Sequence, residues 1–343
     1  MDISDFDYEL PLDHIAQEPM RPREAANLMV VHKDTGIIEH KKVADFPSFL
    51  KSGDVLVVNN TKVFRARLSA TVKRNNLLDR RAELFLVRPI GTNSWQCIGK
   101  PGKVFSPDAR IEIARDFIGT VLEKHDDGTF IVRFPYTKEE VIQKANLSGA
   151  VPIPPYIKTI ANPDEYQTAY AKVTGSVAAP TAGFHLTANL LHRIQQMGVT
   201  IVEITLHVGL GTFLPVKTDT VESHVMHSEW VEISDTSAST INEAKKEGRR
   251  VIAIGTTTTR ALEGVRNQKS VVRGFSGEVN IFITPGFEFG VIDGLLTNFH
   301  LPKSTLILLV SAFAGKETIR RAYELAVEKN YRFYSFGDAM III

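Results

Sequence analysis

Cysteine is almost absent from this 343-residue sequence, and Cys97 is its single example. One cysteine cannot form an internal disulfide, and it cannot build the thiolate cage of a structural zinc site. Such cysteine usage is typical of a reducing compartment. We therefore expect a cytoplasmic protein that is held together by its core rather than by cross-links.

A secretory signal and a long apolar run are missing as well. The first ten residues, MDISDFDYEL, are acidic where a secretory signal begins with basic residues. The longest apolar run, 305–314 (TLILLVSAFA), is far shorter than the ~20 residues that span a bilayer. We expect no membrane partner, and we interpret 305–314 as a buried strand or core segment.

Net charge is close to zero, because 40 basic and 39 acidic side chains leave a formal +1. The field of the whole molecule therefore cannot hold a polyanion, and such a partner would need a local basic patch. The hydrophobic share of 43% and the charged share of 23% exclude a disordered or fibrous chain. At ~100–200 residues per domain, the length predicts two domains.

Two patterns of residues share the chain. Residues 54–58 (DVLVV) are typical of a buried strand, whereas short β-branched segments separated by turn residues follow from Lys62 onward. The proline-rich segment 149–158 then predicts a stiff crossing back. We predict an α/β fold, a mixed sheet with flanking helices over 1–65 and 156–343, split by an inserted small antiparallel β-barrel domain over 66–155.

Helix and strand patterns alternate in the second half of the chain. An amphipathic stretch at 187–197 precedes the apolar run 199–208, and a second pair occupies 236–255. A third helix pattern begins at 316 and leads into the aromatic residues 331–336, which we interpret as a strand that ends before Asp338. This rhythm predicts the mixed sheet and its flanking helices.

Positive charge is concentrated in the strand-rich region. From Lys62 to Arg115 there are twelve basic and four acidic residues, a net charge of +8, which leaves −7 for the remainder. Such a stretch can face a phosphate backbone, so nucleic acid is a candidate partner. The alternative is that these charges are the solvated face of a small barrel.

Five of the ten histidines lie in polar, glycine-rich or threonine-rich settings in the second half: His185, His207, His224, His227 and His300. Around His185, the segment SVAAPTAGFHLT presents the small residues Thr181 and Gly183 and leaves backbone groups approachable, as a ligand pocket needs. The alternative is that Thr187 caps the next helix and His185 is a buried structural histidine.

Glycines follow His207 in the segment TLHVGLGTFLPV. Gly209 and Gly211 suit a ligand loop, but Leu214 stands where a dinucleotide-binding G-x-G-x-x-G motif needs its third glycine. Further on, an extended chain would place His227 and Glu229 on one face, where a carboxylate orients an imidazole for acid–base work. A metal site of His224, His227 and Glu229 is the alternative.

Polar residues also collect at the ends of two later apolar segments. The strand-like VIAIG runs into four threonines and Arg260, so that Thr256 and Thr257 would meet backbone N–H groups and a guanidinium at a helix start. Helix capping explains one of these threonines. Asn298 and His300 sit at a second break, before Pro302.

Motifs along nearly the whole chain resemble one family, the S-adenosylmethionine:tRNA ribosyltransferase-isomerases of queuosine biosynthesis. They are FDYELP (6–11), DVLVVNNTKVFRARL (54–68), PIPPYI (152–157), YQTAYAKVTGSVAAPTAGFHLT (166–187), ITLHVGLGTF (204–213), HVMHSEW (224–230), IGTTTTRALE (254–263), TNFHLPKSTLILLVSAFAG (297–315) and YRFYSFGDAM (331–340). The resemblance implies an α/β domain split by an inserted β-barrel.

The implied activity moves the ribosyl part of S-adenosylmethionine onto 7-aminomethyl-7-deazaguanine at the tRNA wobble position, releasing adenine and methionine and leaving epoxyqueuosine. No metal is implied. Building a cyclopentane ring from ribose requires a carbanion at C5′, which the sulfonium acidifies, so a base must be present. We expect His185 or His207 to be that base and His227 with Glu229, or His300, to protonate adenine.

Binding roles for this activity are inferred from the chemistry of the residues and are not carried over from the family. Asp338 or Glu229 would pair with the aminomethyl ammonium of the RNA base, and Thr256, Thr257 and Arg260 would hold the methionine carboxylate. The other residues expected to line the substrate site are Asn59, Asn60, Thr61, Thr181, Gly183, Gly209, Gly211 and Asn298.

The expected partner is a tRNA with a GUN-type anticodon, bound by a monomer. The residues expected to contact its phosphates are Arg65, Arg67, Lys73, Arg74, Arg80 and Arg81. Two other functions stay open: a metal-dependent hydrolase that uses His224, His227 and Glu229, and a non-catalytic RNA-binding module built on the basic barrel.

Overall fold

A computed structural model describes residues 1–74, 78–154, 156–158, 163–209, 220–224, 226 and 228–343. The strands are β1 (Asn27–Val31), β2 (Ile38–Lys42), β3 (Val55–Asn59), β4 (Thr61–Val63), β5 (Arg67–Lys73), β6 (Arg80–Ile90), β7 (Ser94–Lys100), β8 (Arg110–Ala114), β9 (Phe117–Lys124), β10 (Phe130–Arg133), β11 (Val173–Ser176), β12 (Thr200–His207), β13 (Glu229–Ile233), β14 (Val251–Ile254), β15 (Phe275–Val279), β16 (Gly294–Asn298) and β17 (Ala339–Ile342).

The α-helices are α1 (Lys138–Ser148), α2 (Ala188–Gln196), α3 (Asp235–Lys246), α4 (Thr256–Val265), α5 (Thr305–Ala314) and α6 (Lys316–Glu328). Short 3₁₀ helices lie at Ile3–Phe6, Leu12–His14, Arg23–Ala25, Val43–Phe49, Gly102–Val104, Pro163–Tyr166 and Thr181–His185. Within the described ranges, no helix is both long and apolar enough to cross a membrane.

The chain divides into two compact units. One consists of residues 1–62, 154–173 and 179–343, and the other of residues 63–153 and 174–178. The first contains a nine-stranded mixed sheet with helices, and the second contains a closed antiparallel barrel. The predicted fold class, a mixed sheet with flanking helices and a small antiparallel barrel, is confirmed.

The sheet has the strand order β15-β13-β12-β3-β14-β16-β17-β1-β2. At its centre, β12, β3, β14 and β16 run parallel to one another, whereas β17 runs antiparallel to β16. All five residues of β3 are buried, as expected of a parallel strand that is covered on both faces. One face packs against α2 and the 3₁₀ helix Val43–Phe49, while α3 and α4 also contact the central strands.

The barrel closes in the order β10-β7-β6-β5-β8-β9. Its interior is aromatic: Phe105 stacks on Phe130 with ring centroids 4.4 Å apart, and Trp95 and Phe117 are fully buried. Gly99 is needed beside this stack, because a Cβ there would lie 2.2 Å from the Phe105 ring. The alternation of inward apolar and outward polar residues along β5 is the pattern that predicts such a barrel.

Two local predictions were wrong or incomplete. The apolar run 305–314 is the helix α5, which starts where the Ser304 hydroxyl accepts the N–H of Ile307. A helix buried all round loses its periodic signal, so its sequence does not differ from that of a buried strand. The aromatic segment 331–336 is not a strand, because Tyr334 has a φ of +69° that breaks the extended chain, and β17 begins only after Asp338.

Candidate active site

A cleft lies at the edge of the sheet where the parallel strands β12, β14 and β16 end. It is lined by residues from 179–182, 255–257, 297–301 and 334–335, together with Tyr156 and Val208. Crevices outside the carboxyl ends of strands are where open α/β sheets bind ligands.

The junction of β14 and α4 forms one wall of this cleft. Gly255 has a φ of +90°, which permits the sharp turn from strand to helix. The hydroxyls of Thr258 and Thr259 donate hydrogen bonds to carbonyl groups of the preceding turn, whereas Thr256 and Thr257 line the cleft. The buried Thr257 hydroxyl has no hydrogen-bond partner in the described part of the chain. The free N–H groups of the first turn and this hydroxyl suit an anionic group.

His300 is the predicted catalytic histidine that lines the cleft. Its Nε2 lies 3.0 Å from the Thr297 hydroxyl, which leaves Nδ1 as the ring nitrogen that can meet a ligand. The backbone of His300 is held on both sides, since its N–H donates to the Tyr323 hydroxyl at 3.0 Å and its carbonyl accepts from Tyr8. Burial lowers the pKa of His300 to about 3, so the ring is neutral at pH 7.

His185 lies in a second, smaller cavity of about 220 Å³, beside Arg23 and Phe336. Ser335 lines both this cavity and the cleft. The pKa of His185 is lowered to about 4, mainly by burial; the charge of Arg23 contributes to the lowering, and the Asn298 side chain opposes it. The buried Nε2 of His185 has no hydrogen-bond partner among the described residues.

Asn298 connects the two cavities. It lines the cleft and interacts with His185. Its Nδ2 donates to the Tyr334 carbonyl at 2.7 Å, which fixes the orientation of the amide, and its buried Oδ1 has no partner in the described ranges. Consecutive residues of a strand point to opposite faces. At the end of β16, Thr297 therefore contacts His300, and Asn298 interacts with His185.

The polar corner after β3 joins strands instead of lining the cleft. The Asn59 side chain bonds both the N–H and the carbonyl of Leu206, and Asn60 bonds Glu203 and Thr205. The Thr61 hydroxyl lies 2.8 Å from Nδ1 of His207. His207 is half-buried at the end of β12, and the cleft is lined by the next residue, Val208.

Glu229 and Arg260 form a buried ion pair. Glu229 also accepts the N–H of Gly209 at 3.4 Å, and Arg260 donates to the Ile281 carbonyl at 3.3 Å. The pair therefore joins the start of β13 to α4, and neither residue belongs to the cleft lining.

Asp338 is fully buried and bonded to the backbone. It accepts the N–H groups of Asn27 at 2.7 Å and Arg332 at 2.8 Å, and also the Asn27 side chain. It thereby ties β1 to the turn before β17. Gly183 lies in the 3₁₀ helix that carries Thr181 and His185, where a Cβ would be 2.0 Å from the Tyr170 hydroxyl.

Two predicted site residues, His227 and Gly211, lie outside the described residues. His224 packs its ring edge-on against Phe282 with centroids 5.4 Å apart. In the ranges that the structure describes, no three His, Cys, Asp or Glu side chains are grouped closely enough to hold a metal ion.

Four residues that no sequence pattern singled out also line the cleft: Tyr156, Ser304, Tyr334 and Ser335. All four stand in motifs that carry the family resemblance, PIPPYI, TNFHLPKSTLILLVSAFAG and YRFYSFGDAM. The left-handed backbone of Tyr334 has no signal in sequence, because bulky residues rarely adopt it.

The basic residues predicted to meet phosphate lie on the barrel unit. Arg65, Arg80 and Arg81 are exposed and Arg74 is half-buried, whereas Arg67 pairs with Glu83 at 2.6 Å and Lys73 with Glu112 at 2.9 Å. Over its full sequence this unit carries fifteen basic and ten acidic residues, so its net charge of +5 is positive although smaller than that of the 62–115 stretch.

Comparison with known proteins gives the family. The model of a family described as "Queuosine biosynthesis protein" matches residues 3–342. A curated S-adenosylmethionine:tRNA ribosyltransferase-isomerase from Thermoanaerobacter sp. (strain X514) is 49% identical, with 99% of each chain covered. One of the same name from Desulfitobacterium hafniense is 47% identical over the full length of both chains. The crystal structure of S-adenosylmethionine tRNA ribosyltransferase from Thermotoga maritima superimposes with a TM-score of 0.58 at 34% identity, covering 99% of this chain and 100% of that one.

Proposed function

The chain belongs to the queuosine biosynthesis protein family, and from that premise we propose that it is an S-adenosylmethionine-dependent tRNA ribosyltransferase-isomerase. It transfers and isomerises the ribosyl group of S-adenosylmethionine onto 7-aminomethyl-7-deazaguanine at the wobble position of tRNA. The products are epoxyqueuosine in the tRNA, adenine and methionine. The observation that carries this proposal is the cleft at the carboxyl edge of the sheet, where Thr256, Thr257, Asn298 and His300 meet.

The cleft fits the co-substrate in polarity. Unpartnered buried atoms, the Thr257 hydroxyl and the Asn298 amide oxygen, offer hydrogen bonds to a polar ligand. The amino end of α4 supplies free N–H groups and a positive dipole end for the methionine carboxylate. Since Arg260 is turned to Glu229, we assign that carboxylate to Thr256 and Thr257.

S-adenosylmethionine supplies the sulfonium that acidifies its C5′ protons and the ribosyl group that is transferred. The chain must supply the base, and we assign this role to His300, whose Nδ1 can meet a ligand in the cleft. Because burial keeps its ring neutral at pH 7, His300 has a ring nitrogen that can accept a proton and no imidazolium proton to give, so it fits the base better than the acid. His185, with a pKa of about 4, is also neutral at pH 7, and its ring interacts with Asn298.

The departure of adenine needs a proton or hydrogen-bond donor. A neighbouring carboxylate favours a protonated imidazole, and Glu229 is two residues from His227 in sequence. We keep His227 with Glu229 as the proposed donor. Loss of adenine release at the alkaline end of a pH profile, with the alkaline limb absent in His227→Gln, would support this role.

The RNA partner is a tRNA, and we propose one with a GUN-type anticodon bound by a monomer. The target base already lies in a single-stranded loop, so no duplex has to open. Arg65, Arg67, Lys73, Arg74, Arg80 and Arg81 are the proposed phosphate contacts. Replacing Arg81 by Ala should lower the slope of log affinity against log salt by about 1. The control is Arg133→Ala on β10, two strands around the barrel from β6, which carries Arg81. Equal slopes for the two variants would reject this face.

One reaction tests the proposed function. The protein is incubated with S-adenosylmethionine and a tRNA that carries the deazaguanine precursor, and free adenine and the nucleoside mass are measured. His300→Gln, which keeps a partner for Thr297, should slow adenine release by about 10²-fold or more. The control His192→Gln changes an exposed histidine on α2 and should leave the rate unchanged. Absence of adenine with the wild-type protein would reject the function, and a normal rate in His300→Gln would reject the base.

A further inference from the structure

Within the described part of the chain, the cleft offers no carboxylate to a cation. Of the described residues that line it, none is Asp, Glu, Lys or Arg. His300 is neutral at pH 7, and so is His185 in the adjoining cavity. Under the proposed function, however, the ligand carries a permanent sulfonium charge that must leave water. Aromatic ring faces are side-chain groups that stabilise a desolvated cation without carrying a charge.

A pair of tyrosines provides such faces. Tyr156 and Tyr334 both line the cleft, and their ring centroids are 4.6 Å apart. Tyr156 is held by its hydroxyl, 2.8 Å from the Ser335 hydroxyl. Its backbone is held by Gln17, whose side chain bonds the Tyr156 carbonyl at 2.9 Å and the N–H of Lys158 at 3.0 Å. The pair is therefore placed before a ligand arrives.

Tyr334 is held in a strained backbone conformation. A φ of +69° is costly for a bulky residue and persists only when surrounding contacts enforce it. Here the Tyr334 carbonyl accepts from the Asn298 amide at 2.7 Å and from the N–H of Gly337 at 3.0 Å. The same contact that orients Asn298 therefore also holds the backbone of Tyr334, a residue that is 6% exposed.

We propose that the rings of Tyr156 and Tyr334 bind the sulfonium of S-adenosylmethionine, and that this contact distinguishes the charged co-substrate from its neutral thioether relatives. The inference rests on the proposed function and adds to it the recognition of the positive charge. The tyrosine hydroxyls are not required, because the attraction comes from the ring faces.

The test compares the affinities of S-adenosylmethionine and S-adenosylhomocysteine, which lacks the methyl group and the charge. Both are measured by calorimetry on the wild type, Tyr334→Phe, Tyr334→Leu and Tyr156→Leu. The matched control is Tyr331→Leu, in the same aromatic segment but outside the cleft lining. The wild type should prefer the sulfonium, and each leucine variant should reduce that preference by about tenfold while S-adenosylhomocysteine affinity stays nearly constant. Tyr334→Phe and Tyr331→Leu should keep the wild-type preference.

Three results would overturn the proposal. Equal affinity of the wild type for both ligands would show, without any variant, that charge is not recognised. An equal loss for both ligands in the leucine variants would show that the rings stack on adenine or merely pack. An unchanged preference in a leucine variant with a wild-type circular dichroism spectrum would also reject it. If the wild type binds neither ligand, the proposed function itself fails, which is a distinguishable result.

Discussion

Replacing His300 by Gln should make the stability of the protein less sensitive to acid. His300 is 7% exposed, and burial lowers its pKa from 6.5 to about 3. Below pH 6.5 the unfolded chain binds a proton at this residue, whereas the native state binds none until about pH 3. The native state therefore loses stability as the pH falls from 6.5 to about 3. Above pH 6.5, His300 is neutral in both states and does not lower the stability.

The magnitude follows from the two pKa values. Each histidine kept neutral in this way costs about 1.4 kcal/mol of unfolding free energy per pH unit well below 6.5. Between pH 6.5 and 4.5 the wild type should therefore lose roughly 2–3 kcal/mol more than His300→Gln. Carboxylates titrate in both proteins, so their contribution cancels in the difference. The Gln side chain keeps a hydrogen-bond partner for Thr297, which limits the loss of stability at neutral pH.

Urea unfolding at pH 6.5, 5.5 and 4.5, followed by helical circular dichroism, measures this difference. The signal reports mainly on the α/β unit, which contains α2 to α6. His192→Gln should follow the wild-type curve, because His192 is exposed. Parallel curves for His300→Gln and the wild type would refute the reasoning, since they would mean that His300 titrates normally in the native state.

Two further substitutions test the supports of the sheet edge by urea unfolding. Glu263→Ala should lower the free energy of unfolding by about 3 kcal/mol or more, because the buried carboxylate accepts the N–H groups of 290–292 and pairs with Arg266 at 2.6 Å. A decrease below about 1 kcal/mol would show that these groups find other partners. Gly183→Ala should lower the free energy of unfolding by about 1–3 kcal/mol, because its Cβ would lie 2.0 Å from the Tyr170 hydroxyl. The control is Gly91→Ala, whose Cβ has no atom within 4 Å. It should lower the free energy of unfolding less than Gly183→Ala does, although the φ of Gly91 is +65°.

Much of the fold could be predicted because its signals are local. Residues 54–58 are apolar throughout and form a buried parallel strand, and Thr187 caps the amphipathic helix α2 as its position predicts. The errors occurred where local signals are equivocal. The run 305–314 is apolar on every side, so it has no helical period. The turn at Tyr334 is imposed by contacts with Asn298, which is distant in sequence, and with Gly337, and no sequence pattern indicates either contact.

The cleft could be predicted only in part. Polar residues after strands locate the edge of the sheet, and Thr256, Asn298 and His300 do line the cleft. The same rule also selected Asn59 and Asp338, whose side chains are engaged by backbone groups of neighbouring strands. The sequence does not distinguish a polar residue that lines the cleft from one that bonds a neighbouring strand, because both are polar side chains at a strand end. They differ only in the group that each side chain faces in the folded protein.

A crystal structure of the protein with bound S-adenosylmethionine tests the central claim most directly. We predict ligand density in the cleft between α4 and the end of β16, with the carboxylate at Thr256 and Thr257 and the C5′ carbon within reach of His300. Density at any other place, with the cleft left empty at saturating ligand, would contradict the account.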